Sequence, residues 1–143
     1  MSRLKVDVEH VLDQQKKPNK WLGPTLKVKL YKYQRKAVRK ATELGSIGLW
    51  MEQGTGKTLT SLKIVGNYWK KGLIDNLLIL GPKSVLTVWE QEISENLLIP
   101  YQYTDSVLRP VSNPKCLTIC LANYESFKRY KGKANKIKKS YDM

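Results

Sequence analysis

Residues 47–69 read IGLWMEQGTGKTLTSLKIVGNYW, and their order decides the fold. Ile47-Gly48-Leu49-Trp50 is a short apolar run of strand type. Glu52–Thr58 follows, with glycines at 54 and 56. Leu59, Leu62, Val65, Tyr68 and Trp69 then recur at helical spacing, and Gly72 stops that helix. Strand, glycine turn and amphipathic helix in that order form the start of an α/β unit.

Between the strand and the helix stands Gly54-Thr55-Gly56-Lys57-Thr58. A phosphate cradle needs glycines so that backbone N–H groups turn inward and reach the oxygens. It needs a helix N-terminus facing the negative charge, a lysine for the β- and γ-phosphates, and a hydroxyl for Mg²⁺. All of these parts are present in order. The full G-x-x-x-x-G-K-[ST] pattern asks for glycine at 51, where this chain has Met51, but the G-x-G-K-T core is kept.

Outward from this segment the same alternation continues. On the N-terminal side, Leu30, Tyr33, Ala37, Val38, Ala41 and Leu44 mark one face of a helix that Gly45 stops. Its other face carries Lys32, Arg35, Lys36, Arg39 and Lys40. Trp21-Leu22-Gly23-Pro24 reads as a turn and residues 13–20 as a polar linker, while residues 1–12 fit strand and helix spacing equally.

On the C-terminal side, Leu77–Leu80 is an apolar run between Asp75-Asn76 and Gly81-Pro82. Ser84 is placed to cap a third helix with Val85, Leu86, Trp89 and Ile93 inside. Residues 100–114 read as loop with a short strand at 101–104. Leu117–Ala122 is another strand, and 124–139 is a basic segment with helical character interrupted by Gly132. Ile47–Trp50, Leu77–Leu80 and Leu117–Ala122 are therefore expected as parallel strands, covered by helices on both faces of the sheet.

Charge separates the chain into three parts. Residues 1–40 hold 12 basic and 3 acidic side chains, 41–120 hold 7 of each, and 121–143 hold 7 and 2, within a total net charge of +14. A neutral middle between basic ends suits a polyanion partner or a solvated periphery equally well. No apolar run approaches the ~18–20 residues of a membrane span, and the N-terminus has no signal-type apolar stretch. Cys116 and Cys120, four apart on a strand, are about 13 Å from each other and so unable to pair. Both are read as reduced and structural, which fits a cytosolic protein.

Four stretches together resemble a known family. MEQGTGKT (51–58) resembles motif I of superfamily 2 helicases. LYKYQRKAV (30–38) resembles the Q motif that precedes it there. LLILGPKSVLTVWEQEI (77–93) resembles motif Ia with its helix, and TICLANYESFK (118–128) resembles the motif Ib region. The likeness is greatest to Swi/Snf-type DNA-translocating ATPases and their bacterial and phage relatives. It implies a partial RecA-like P-loop lobe over residues 26–143, preceded by an extension, 1–25, of unassigned role.

The resemblance also implies roles. Gln34 reads the adenine edge, although by residue type alone it is a solvated glutamine at a helix start. Gly54, Thr55, Gly56, Lys57 and Thr58 bind the phosphates of ATP, with Lys57 as the catalytic residue and Thr58 on Mg²⁺. Lys83, Ser84 and Asn123 contact nucleic acid, DNA in the nearest relatives. Lys83 is otherwise a surface lysine and Asn123 a turn residue.

Hydrolysis in that family uses an adjacent Asp-Glu pair at a strand end, and these 143 residues contain no adjacent acidic pair. The chain is therefore expected to be an N-terminal piece of a helicase or translocase that ends before that motif, inactive alone, in the cytoplasm or nucleoid of a bacterial or phage-infected cell. Another P-loop ATPase and a non-catalytic basic nucleic-acid-binding module are the alternatives. DNA against RNA, unwinding against translocation, and oligomeric state are not legible.

Overall fold

The computed structural model describes residues 21–50, 54, 56–108, 113, 115–130 and 132–133. The linker at 13–20, the segment before it and the basic residues from 134 onward lie outside the described residues. The element order is α1 (Lys32–Leu44), α2 (Lys57–Lys70), β1 (Asn76–Gly81), α3 (Lys83–Asn96), β2 (Tyr101–Tyr103), β3 (Leu117–Asn123) and α4 (Tyr124–Lys128).

The three strands form one parallel sheet in the order β1-β3-β2. Asn76 stands opposite Thr118 and Gly81 opposite Asn123, so β1 and β3 end together at their C-termini. Central β3 is buried along almost its whole length, as a strand covered on both faces must be. Leu117 and Ile119 enter the main core with Leu62, Trp69, Ile79, Ile93 and Ile99. Cys120 and Ala122 join Val107 in a smaller cluster, against which Phe127 and Tyr130 pack. Both cysteines are free and buried, and burial raises the Cys116 thiol above its ordinary range.

Ile47–Trp50 departs from expectation. It forms no strand, and Trp50 is 97% exposed. Exposure does alternate along it: Ile47 and Leu49 are half-buried, Gly48 and Trp50 exposed. The run shares a shallow cleft with Lys36, Ala37 and Lys40 of α1. The period-2 pattern is thus present, but a ladder also needs a hydrogen-bonded neighbour. Among the described residues the sheet ladder consists of β1, β3 and β2 alone.

Two further readings shift. The inner face of α1 is Gln34, Val38 and Ala41, while Tyr33 and Leu44 are half-exposed. A polar residue thus occupies the stripe that an apolar count assigns to Tyr33. Pro82, not Ser84, is the N-cap of α3; Val85 and Leu86 both donate to the Pro82 carbonyl, and Ser84 lies inside the first turn. After Lys128 the chain leaves the helix for a turn in which Gly132 has φ +83°.

A strap from Trp21 to Leu30 ties α2 to α3. The Trp21 indole donates to the Pro24 carbonyl and closes the turn. Leu98 donates to Thr25 and Lys27 to Asn96, along the C-terminal end of α3. On α2, Lys63 donates to the Thr25 hydroxyl at 3.1 Å, and Lys70 to the Gly23 carbonyl. Burial, with Lys70 nearby, holds the Lys63 amine below the usual lysine range. Thr25 is buried over Gly66, where an added Cβ would lie 2.8 Å from the Thr25 Cβ.

Alanine in place of a mid-helix glycine ordinarily gains about 0.5–1 kcal/mol. Here Gly66→Ala is expected to cost about 1–3 kcal/mol instead, because Thr25 is held by hydrogen bonds on both sides and overpacking cannot relax. Urea unfolding of the two proteins checks this, and an equally stable variant would show that the strap yields.

Candidate functional site

α2 begins without a side-chain cap. Its N-cap, Gly56, has φ +78°, and no acidic residue occupies the first turn. Gly54 has φ +80°. Both glycines therefore adopt the left-handed conformation that other residues enter only at a cost. The first N–H groups of a helix have no internal acceptor, and with the helix dipole they favour an anion.

The hydroxyls of this turn are not equivalent. Thr60 donates to the Gly56 carbonyl and Ser61 to the Lys57 carbonyl, each at 2.9 Å. Thr58 is half-buried and has no hydrogen-bond partner among the described residues. Among the described hydroxyls of the turn, Thr58 is the one whose oxygen could meet a hard cation such as Mg²⁺. Lys57 is exposed and carries its ammonium into solvent. Thr55 lies outside the described residues.

Gln34 is brought against this turn from α1. It is 3% exposed. Its Oε1 accepts the Tyr31 N–H at 2.8 Å, capping α1. Its Nε2 packs so close to Gly56 that a Cβ there would clash with it. Nothing in residue type announces this burial; only its position ahead of the cradle in LYKYQ does. α1 and α2 are further joined by the Tyr68 hydroxyl, which donates to the Ala41 carbonyl.

A second group gathers at the C-terminal ends of β1 and β3. Register sets Gly81 opposite Asn123, and α3 starts two residues after Gly81. Lys83 and Ser84 are exposed in the first turn of that helix. Asn123 is the N-cap of α4: its Oδ1 accepts the Ser126 N–H at 2.6 Å. The turn-residue reading of Asn123 is therefore met, while its Nδ2 keeps two N–H donors and no acceptor among the described residues.

Neither Tyr31 nor Tyr33 has a ligand role in the motif as read from the sequence. Their rings stack at 5.9 Å with 11° between planes, and they are 70% and 50% exposed. Residues two apart within a helix do not face each other, so spacing alone conceals the pair. Stacking is reached because Tyr31 is the extended N-cap and precedes the helix.

No curated protein matches the chain in sequence. The family described as "Type III restriction enzyme, res subunit" matches residues 27–143. Its span starts just after Leu26 and takes in α1, the glycine turn, the parallel sheet and α4.

Proposed function

The chain belongs to the type III restriction enzyme res-subunit family, a superfamily 2 helicase-like P-loop family, and its sheet and helices are part of a RecA-like lobe; on that premise we propose that it binds ATP with Mg²⁺ as part of an ATP-driven nucleic-acid helicase or translocase. Residues 26–143 form part of the first lobe, and 1–25 are an extension. Gly54–Thr58 hold the phosphates, Lys57 neutralises the β- and γ-oxygens, and Thr58 supplies the hydroxyl for the metal. Gln34 faces the adenine edge with one amide. Lys83, Ser84 and Asn123 hold a phosphate of the nucleic acid, through a cation, helix N–H groups and an amide donor. The preferred partner is DNA, as for the Swi/Snf-type ATPases that the motifs resemble, and the preferred location is the cytoplasm or nucleoid. No described helix is long and apolar enough to cross a membrane.

The observation that carries this reading is the contact between Gln34 and Gly56. Two motifs 22 residues apart converge on one uncapped helix start, which a chance glycine turn has no reason to do. ADP at millimolar concentration is expected to shift the backbone amides of 54–58. Lys57→Ala should weaken ADP by roughly tenfold to a hundredfold, the worth of a charge-assisted hydrogen bond. Unshifted amides in the unaltered protein would remove the nucleotide from the proposal.

A further inference from the structure

The exposed side of α1 is charged with one sign. Lys32, Arg35, Lys36, Arg39 and Lys40 are all exposed and lie opposite the buried Gln34, Val38 and Ala41. No described hydrogen bond or ion pair engages any of the five. Lys27 and Lys29 are also exposed, in the strap ahead of the helix. Solubility does not require this arrangement. The pairs 32–35, 32–36, 35–39, 36–39 and 36–40 are like charges at helical spacing, and each works against the helix. A solvated helix ordinarily mixes signs, as α3 does with Lys83 against Glu90, Glu92 and Glu95. Glu43 is the only carboxylate on α1 and sits at its far end.

At the N-terminal end of the arc stand the stacked rings of Tyr31 and Tyr33, turned to solvent. From Lys32 to Lys40 the arc is about 12 Å long at ~1.5 Å per residue. That length meets about three successive phosphates of one strand. Cations in a row beside exposed aromatic faces are the two components of single-strand recognition: phosphates follow the charge, and a base stacks on a ring.

We propose that the exposed arc of α1, with Tyr31 and Tyr33 as its stacking end, is a contact surface for single-stranded nucleic acid, distinct from the phosphate site at Lys83, Ser84 and Asn123. The proposal rests on the reading that nucleic acid is the partner, and it adds where and in what form the strand is held. A duplex offers phosphates to the arc but keeps its bases from the rings. An acidic protein segment would meet the cations and leave the rings uncovered.

Polarisation of a labelled oligothymidine and of a labelled duplex, between about 50 and 200 mM salt, tests the surface. Arg35→Gln/Lys36→Gln/Arg39→Gln keeps good helix formers at exposed positions, so the fold is retained, as circular dichroism checks. It should lower the slope of log affinity against log salt by about 2, at ~0.7 per single-strand contact. Tyr31→Leu/Tyr33→Leu should weaken the oligothymidine roughly tenfold and leave the duplex within twofold. If the unaltered protein binds and both variants bind as it does, while Lys83→Ala loses affinity, the α1 surface is overturned and the nucleic-acid reading stands. If the unaltered protein binds neither nucleic acid at the lowest salt, both fall. Cosedimentation with phosphatidylserine vesicles, lost in the triple variant and without oligonucleotide binding, would overturn the proposal in favour of a membrane.

Discussion

Gly56→Ala is expected to lower the stability of the chain by about 2–5 kcal/mol and to abolish ADP-induced shifts at 54–58, whereas Gly54→Ala costs about 1–2 kcal/mol. Both positions have φ near +80°, so both substitutions incur the left-handed penalty of about 1–2 kcal/mol. They differ in what a Cβ meets. At Gly54 there is nothing within 4 Å. At Gly56 the new atom would clash with the Nε2 of buried Gln34, whose Oε1 is engaged by the Tyr31 N–H. Displacing Gln34 breaks that cap and adds an overpacking cost of about 1–3 kcal/mol. The rise of α2 out of the loop shifts with it, and the N–H groups no longer converge on one anion. Urea unfolding and ADP titration of both single variants measure the difference. Gln34→Ala in the Gly56→Ala background should restore part of the lost stability, since it removes the clash but not the strain. Equal costs at 54 and 56, or no recovery in the double variant, would mean that Gln34 does not brace the turn.

The same pair shows how far the sequence could be read. That Gln34 and the glycine turn belong to one apparatus is what the resemblance implies from LYKYQ preceding GTGKT, and the matched family spans both stretches. Their contact does not follow, because periodicity counts apolar residues and a buried glutamine appears as a gap in the stripe. Leu77–Leu80 and Leu117–Ala122 were legible because each is a continuous apolar run bounded by turn residues. They are found as strands one or two residues longer. Ile47–Trp50 has the same local signature but no ladder, since pairing depends on a neighbour that local sequence does not specify. At Ser84 the rule for caps favoured a hydroxyl, but Pro82, with its fixed φ, turns the chain into α3 earlier. The stacked tyrosines required knowing where α1 begins to within one residue, which is the least legible property of a helix.

ATP turnover by the purified 143-residue chain is expected to be indistinguishable from that of buffer, with or without nucleic acid. On the proposed reading Lys57 acts on phosphate charge, Thr58 on the metal and Gln34 on the base, all with the nucleotide in its ground state. Binding of that kind lowers the energy of bound ATP without lowering the barrier above it. Hydrolysis also needs a group that orients water in line with the γ-phosphorus and one that meets the charge developing in the transition state. The resemblance assigns the first task to an adjacent acidic pair at a strand end. β1 ends in Leu80-Gly81 and β3 in Ala122-Asn123, so neither carries a carboxylate there. Glu125, the nearest acid after β3, is exposed on α4, beyond the Asn123 cap. Loss of a single electrostatic contributor costs about 10²–10³ in rate at such sites, and the described strand ends supply no carboxylate. Phosphate release from ATP, followed with and without saturating oligonucleotide and compared with Lys57→Ala, measures this. Turnover that nucleic acid stimulates and Lys57→Ala removes would show that residues of this chain position the water, and the division of roles between ground-state binding and hydrolysis would have to be redrawn.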